Sequence, residues 1–185
     1  MRLFTGLSIP DNITVTLGSV LAELRGTAKL RWSQVENLHI TSKFIGEWPE
    51  ERLPELQGAL AGLDTPRPFE VTVARFGFLP NPHHPKIFFA GVRGGAGLAE
   101  LAERIDVALA AIGLKREERA YTPHLTLARI GGDDIDRLRE RIATMPAPEF
   151  GAFQAREFHL YLSRPGPKGS AYSRIHTYPL EKAAA

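Results

Sequence analysis

Two stretches, Asn37-Leu38-His39-Ile40-Thr41-Ser42-Lys43-Phe44 and Thr122-Pro123-His124-Leu125-Thr126-Leu127-Ala128-Arg129, carry one pattern. Each sets a His and a Thr two positions apart in a run that alternates apolar with polar. Successive side chains of a β-strand point to opposite faces, so His39 and Thr41 are expected on one face, with Leu38, Ile40 and Phe44 on the other. His124 and Thr126 stand in the same relation to Leu125 and Leu127. One strand with an imidazole and a hydroxyl on its wet face is ordinary. Two such strands in matching surroundings point to a shared site.

Outward from the first copy, Leu3, Phe4, Leu7 and Ile9 read as a short buried strand ending at Pro10. Pro10-Asp11-Asn12 suits a helix start, Ile13, Leu17, Val20, Leu21 and Leu24 recur at helical spacing, and Gly26 suits the residue past the end. Beyond the motif, Leu53, Leu56, Leu60 and Leu63 predict a second helix, and Phe69, Val71 and Val73 a strand. The Pro-rich run Leu79 to Pro85 is the natural midpoint. A buried strand over 86–92, a helical stripe from Leu98 to Ile112, the second motif and a helix carrying Ile135, Leu138 and Ile142 follow in the same order. After Pro146 and Pro148 come a strand with Phe158, Leu160 and Leu162, a Pro/Gly loop from Ser163 to Gly169, and a last strand from Ala171 to Pro179. Phe4 precedes His39 by 35 positions, and Phe89 precedes His124 by the same 35.

The repeat predicts an α+β fold: two similar lobes related by a pseudo-twofold axis, each an antiparallel sheet with helices on its outer face, and an active-site cleft between them. The chain is read as a single domain, 1–185, with about 1–80 mostly in lobe one and about 86–180 mostly in lobe two, strands being free to exchange between lobes. With 43% apolar and 24% charged residues the composition is that of a soluble globular protein. There is no Cys, which excludes disulfides and thiolate metal sites. No apolar run reaches membrane-spanning length and no signal-peptide pattern is present, so the expected setting is the cytoplasm, away from membranes. A net charge of +2 is too small for whole-surface nucleic-acid binding, and the excess of Arg over Lys is neutral evidence.

Imidazole exchanges a proton near neutrality. Two facing histidines can therefore take opposite protonation states, one as general base and one as general acid, which suits in-line displacement at phosphorus. Thr41 and Thr126, each one strand repeat along, can donate hydrogen bonds to phosphoryl oxygens. Lys43 is expected on the face of Thr41 and adds positive charge. Arg129, five positions after His124, falls on the opposite face by strict alternation, and a bulge or the strand end has to bring it round. No carboxylate or Cys accompanies the motif, so neither metal nor cofactor is expected.

These residues resemble the 2H phosphoesterase superfamily, and within it the bacterial and archaeal RNA 2′,3′-cyclic phosphodiesterases, historically called 2′-5′ RNA ligases. The resemblance runs over nearly the whole chain: Met1-Arg2-Leu3-Phe4, Arg31-Trp32 to His39, Ala90-Gly91-Val92, and Pro123 to Arg129. Ser42 stands where an apolar residue is usual, and Phe89 where Trp is frequent; both bear on packing. The resemblance implies hydrolysis of a terminal 2′,3′-cyclic phosphate to a 2′-phosphomonoester, with reversible 2′-5′ joining by the same groups. It implies His39 as proton donor and His124 as proton acceptor, roles that the near-equivalent copies do not distinguish by themselves. Thr41, Thr126, Lys43 and Arg129 are the phosphate-binding candidates, and the implied partner is RNA with a cyclic phosphate end, such as a tRNA fragment, or a cyclic nucleotide, bound by a monomer.

The alternative is a non-catalytic RNA or nucleotide binding module on the same fold; intact copies of both His and both Thr favour the enzyme. Elsewhere the plain readings win. His83 and His84 lack metal-ligand spacing. His159 and His176 read as strand-face residues, Trp32 and Tyr121 as packing aromatics that could otherwise stack on a base. Arg137, Arg139 and Arg141 read as a solvated helix face, and Ser163, Arg164 and Lys168 as a loop with a weaker claim on RNA backbone.

Overall fold

The computed structural model describes residues 1–166 and 169–180, so Lys168 lies outside the described residues. The strands are β1 (Arg2–Ser8), β2 (Arg31–Trp32), β3 (His39–Glu47), β4 (Phe69–Leu79), β5 (Ile87–Arg93), β6 (His124–Arg129), β7 (Glu149–Ala155), β8 (Glu157–Arg164) and β9 (Ala171–Pro179). The α-helices are α1 (Asp11–Leu24), α2 (Leu53–Ala61), α3 (Gly95–Ala111) and α4 (Asp136–Thr144). Among the described residues no helix is long and apolar enough to cross a membrane.

The strands pair antiparallel in the order β7-β4-β5-β6-β3-β1-β8-β9, with β2 on the free part of β6. Read outward from the middle, β6-β5-β4-β7 mirrors β3-β1-β8-β9, which is the expected pseudo-twofold α+β arrangement. Strand exchange is built in. β4 follows the first motif in sequence but pairs with β5 and β7, while β8 and β9 follow the second motif but extend the half containing β1. The two halves meet in the β3–β6 ladder at one pair, Ile40 opposite Leu125.

Each helix buries one stripe. In α1 the buried residues are Ile13, Leu17, Leu21 and Leu24; in α3 they include Leu98, Ala102, Ile105, Asp106 and Leu109. These stripes and Leu7, Ile40, Phe88, Leu125, Leu127 and Phe158 from the strands form one core. A Pro in the first turn of α2 fits the missing amide partner there. The arginines of α4 project outward, but Arg141 pairs with Glu23 and Arg139 donates to the Pro82 carbonyl, so they brace the exterior.

Two features differ from expectation. β7 is absent from the sequence reading because Pro148 and Gly151 interrupt a run with little apolar alternation; only its pairing with β4 makes it a strand. His159 sits on a strand face as read, but that face is fully buried, since both faces of β8 are covered. Its Nε2 and Nδ1 lie 3.2 Å from Ser8 Oγ and 3.0 Å from Thr177 Oγ1. Burial, aided by the Arg174 charge, lowers its pKa from 6.5 to about 4.

The folded protein therefore refuses a proton that the unfolded chain accepts between pH 6.5 and about 4. Stability should fall as pH drops through this window and level off below it, by an amount on the order of 1–3 kcal/mol from this residue. Urea titrations at stepped pH check this, and His159→Gln should give a shallower slope.

Candidate active site

The site is assembled on the sheet face opposite Ile40 and Leu125, both with no solvent exposure. Their flanking residues must point the other way, which brings His39 and Thr41 of β3 together with His124 and Thr126 of β6. Neither threonine hydroxyl has a partner among the described residues. Both histidines are oriented by one device. His39 Nδ1 lies 2.7 Å from the Asn37 carbonyl and His124 Nδ1 lies 2.8 Å from the Thr122 carbonyl. A carbonyl only accepts, so Nδ1 carries the proton in both rings and each Nε2 is left to exchange protons.

The matched 35-residue offsets take physical form here. The Phe4 ring sits 4.6 Å from the His39 ring, and the Phe89 ring 5.7 Å from the His124 ring. Tyr172 meets His39 edge-on at 5.0 Å. Small residues let the strands approach: a Cβ on Gly6, opposite Thr41, would stand 2.6 Å from the Ile40 carbonyl oxygen, and one on Gly91, opposite His124, 2.7 Å from that of Ala74.

Alternation fails three residues after each His. Ser42 is an extra residue in β3 between the pairs Gly6–Thr41 and Thr5–Lys43, and Leu127 is an extra residue in β6 between Phe89–Thr126 and Phe88–Ala128. Each bulge turns the following side chains over. Lys43 therefore leaves the histidine face, contrary to expectation. It is buried, and its Nζ pairs with Asp106 of α3 and donates to the Lys115 carbonyl at 3.2 Å. Phe44, expected in the core, is 65% exposed and lies 6.2 Å from the Phe4 ring. The equivalent bulge is the one that Arg129 needed. Leu127 and Ala128 are both buried, Arg129 is exposed and has no carboxylate partner among the described residues, and its charge reaches His39. Burial first, then His124 and Arg129, lower the pKa of His39 against an opposing hydrogen bond to Asn37.

Each motif strand is tied by the other half of the chain. Tyr121 donates its hydroxyl to the Thr41 carbonyl at 2.9 Å, and Ser33 donates to the Thr126 carbonyl at 2.8 Å. Tyr121 is thereby a lobe-packing residue, its phenol pKa raised by burial. Trp32 also packs, edge-on to Phe88, with Nε1 bonded to the Ala28 carbonyl. Ser33, Asn37 and Asp106 belong to the support of the site and were missed in the sequence; only the repeat offset could have drawn attention to them. His83 and His84 cap a turn on the Asn81 side chain, outside the site.

A cleft of about 1350 Å³ opens beside Thr41 and His124, between Phe44, Pro80, α3 and residues 114–122. A smaller cavity of about 510 Å³ lies on the far side of His39, with Ser8, Asn37, Tyr161, Tyr172 and Arg174 in its wall. Among the described residues no group of three His, Asp or Glu is placed to hold a metal ion.

The fold and the repeated motif define a two-histidine phosphoesterase. The sequence profile of the LigT like Phosphoesterase family matches residues 7–89 and 93–172, and the chain belongs to that family. It is 32% identical over 176 residues to the RNA 2′,3′-cyclic phosphodiesterase of Methanocaldococcus jannaschii, covering 95% of this chain and 98% of that one. To the protein of the same name from Archaeoglobus fulgidus it is 30% identical, covering 96% and 99%. The crystal structure of TT0787 of Thermus thermophilus is similar with TM-score 0.78 at 26% identity, covering 97% of this chain and 98% of that chain. E. coli LigT complexed with 3′-AMP, 23% identical, shares the fold with TM-score 0.80 over 98% of each chain.

Tyr121→Phe leaves the Thr41 carbonyl without its donor. It should cost about 1–3 kcal/mol of unfolding free energy and lower affinity for inorganic phosphate, read by calorimetric titration and denaturation.

Proposed function

We propose that the protein hydrolyses the terminal 2′,3′-cyclic phosphate of RNA to a 2′-phosphomonoester, without a metal ion. The observation that carries this reading is the pair of imidazoles with backbone-fixed Nδ1 protons, one from each half, whose Nε2 atoms and flanking threonine hydroxyls have no partner among the described residues. The names of the relatives in Methanocaldococcus jannaschii and Archaeoglobus fulgidus support the same substrate.

In this mechanism His124 Nε2 takes a proton from water as the water oxygen bonds to phosphorus. The P–O3′ bond breaks in line, and His39 Nε2 delivers a proton to O3′. Thr41 and Thr126 donate to the non-bridging oxygens and Arg129 offsets their charge. Lys43, committed to Asp106, is left out. With a ribonucleotide 5′-hydroxyl in place of water, the same steps form a 2′-5′ bond. The reading extends to tRNA fragments and cyclic nucleotides as substrates, and to a cytoplasmic monomer as the working form.

The electrostatics add a constraint. In the free protein burial, His124 and Arg129 favour neutral His39, whereas a proton donor has to be charged. An anionic diester beside the ring counters that bias and draws the proton in. The alkaline limb of kcat/KM, which reports the free enzyme, should therefore lie at lower pH than the alkaline limb of kcat. Both limbs belong to the histidine pair jointly.

The test is hydrolysis of an oligoribonucleotide 2′,3′-cyclic phosphate in EDTA. His39→Ala and His124→Ala should each lower kcat by about 10²- to 10⁴-fold. Wild type and His124→Ala behaving alike would make the cleft a binding module instead, and a flat profile from about pH 5 to 9 would exclude two-histidine proton transfer.

A further inference from the structure

The 85-residue offset that carries His39 onto His124 also carries the buried stripe of α1 onto that of α3. Ile13, Leu17, Leu21 and Leu24 fall on Leu98, Ala102, Asp106 and Leu109, all buried. Asp106 thus occupies the place of Leu21, and its partner Lys43 the place of Ala128, a side chain with no exposure. Where the symmetry-related positions Leu21 and Ala128 are both apolar and buried, Asp106 and Lys43 form a buried ion pair. Such a pair is an expensive substitute for apolar packing and is no aid to stability in itself.

What the charge does that Leu21 does not is reach a third element. Asp106 accepts from Arg116 Nε at 2.5 Å and from the Glu117 amide at 3.2 and 3.3 Å. Lys43 Nζ donates to the Lys115 carbonyl, and Arg116 also pairs with Glu103 at 2.6 Å. Burial works against the carboxylate, but bonds from Lys43, Arg116 and the Glu117 amide hold the Asp106 pKa below its ordinary value. Three successive residues are thereby fastened to α3 and β3. They belong to the irregular run from Leu114 to Pro123, which delivers Tyr121 to the Thr41 carbonyl and Thr122 to the His124 imidazole. In the first repeat the counterparts of 116 and 117 are Arg31 and Trp32, held as β2 against β6. Residues 116 and 117 form no strand, and Asp106 takes the place of that ladder.

We propose that Asp106 is a positioning residue for the reaction. Through Lys43, Arg116 and the Glu117 amide it fixes the segment that aims His124, so the ionic cluster serves the geometry of the site and not the stability of the fold. This rests on the reading of His124 as a proton-transfer group.

The test is the double variant Lys43→Ala with Asp106→Leu, which installs at both positions the apolar residues of their symmetry counterparts, Ala128 and Leu21. Its Tm should match or exceed that of the wild type, the amides of residues 115–122 should exchange faster, and kcat should fall about 10- to 100-fold with KM little changed. A folded double variant with wild-type kcat and wild-type exchange in that segment overturns the proposal. Should the double variant not fold, Arg116→Gln decides, since its guanidinium is half-exposed. It should show the same fast exchange and a smaller loss of kcat, partly restored by Arg116→Lys; wild-type behaviour overturns the proposal. If the wild-type protein hydrolyses no cyclic phosphate, the functional reading fails, while amide exchange still decides whether Asp106 holds the segment.

Discussion

The pairing of Ile40 with Leu125 is the constraint on which the rest of the molecule turns. It is the ladder contact joining the two halves of the sheet, and both side chains are excluded from water. Full burial of two such side chains is worth about 1.5–3 kcal/mol each, and a one-residue slip in either strand would turn them out and the histidines in. Because strand side chains alternate, sealing this pair into the core obliges His39, Thr41, His124 and Thr126 to converge on the opposite face. The site is thus a by-product of closing the core across the junction.

Duplication supplies symmetric parts, yet the proposed general acid–base reaction requires the two histidines to act unequally. Both rings are oriented by the carbonyl two residues before them and backed by a phenylalanine 35 positions earlier in the chain. The inequality lies in what surrounds them. After the bulges, one motif returns an arginine to the site face and the other a phenylalanine, so Arg129 and Phe44 are counterparts of opposite character. Behind that face, an ionic cluster around Asp106 stands where the other half is apolar. The Arg129 charge reaches His39, while the exposed Phe44 lines the cleft that opens beside His124.

Strand exchange couples the halves as firmly as the junction does. With β4 on β5, and β8 on β1, neither half of the chain completes its half of the sheet without the other. Ser33 and Tyr121 repeat this reciprocity at the scale of single hydrogen bonds, each holding the carbonyl of the other half's threonine. A site built from two half-sites holds its geometry when such ties cross between them, since losing one takes a donor from a part-buried carbonyl.

The repeated His-x-Thr strands, the helices with their apolar stripes and the mirrored order of elements were legible before any folding was known, because they follow from short-range periodicity. The sequence also carried the need for a bulge before Arg129 could join the site. Tertiary structure alone decided that an equivalent bulge at Ser42 sends Lys43 into the core and Phe44 to the surface, because an extra residue in a ladder is defined only against the partner strand. The same holds for β7, which exists through its pairing with β4, and for His159, buried because strands distant in sequence cover both faces of β8. Local pattern chooses which side chains alternate; which way they finally point is set by what packs against them.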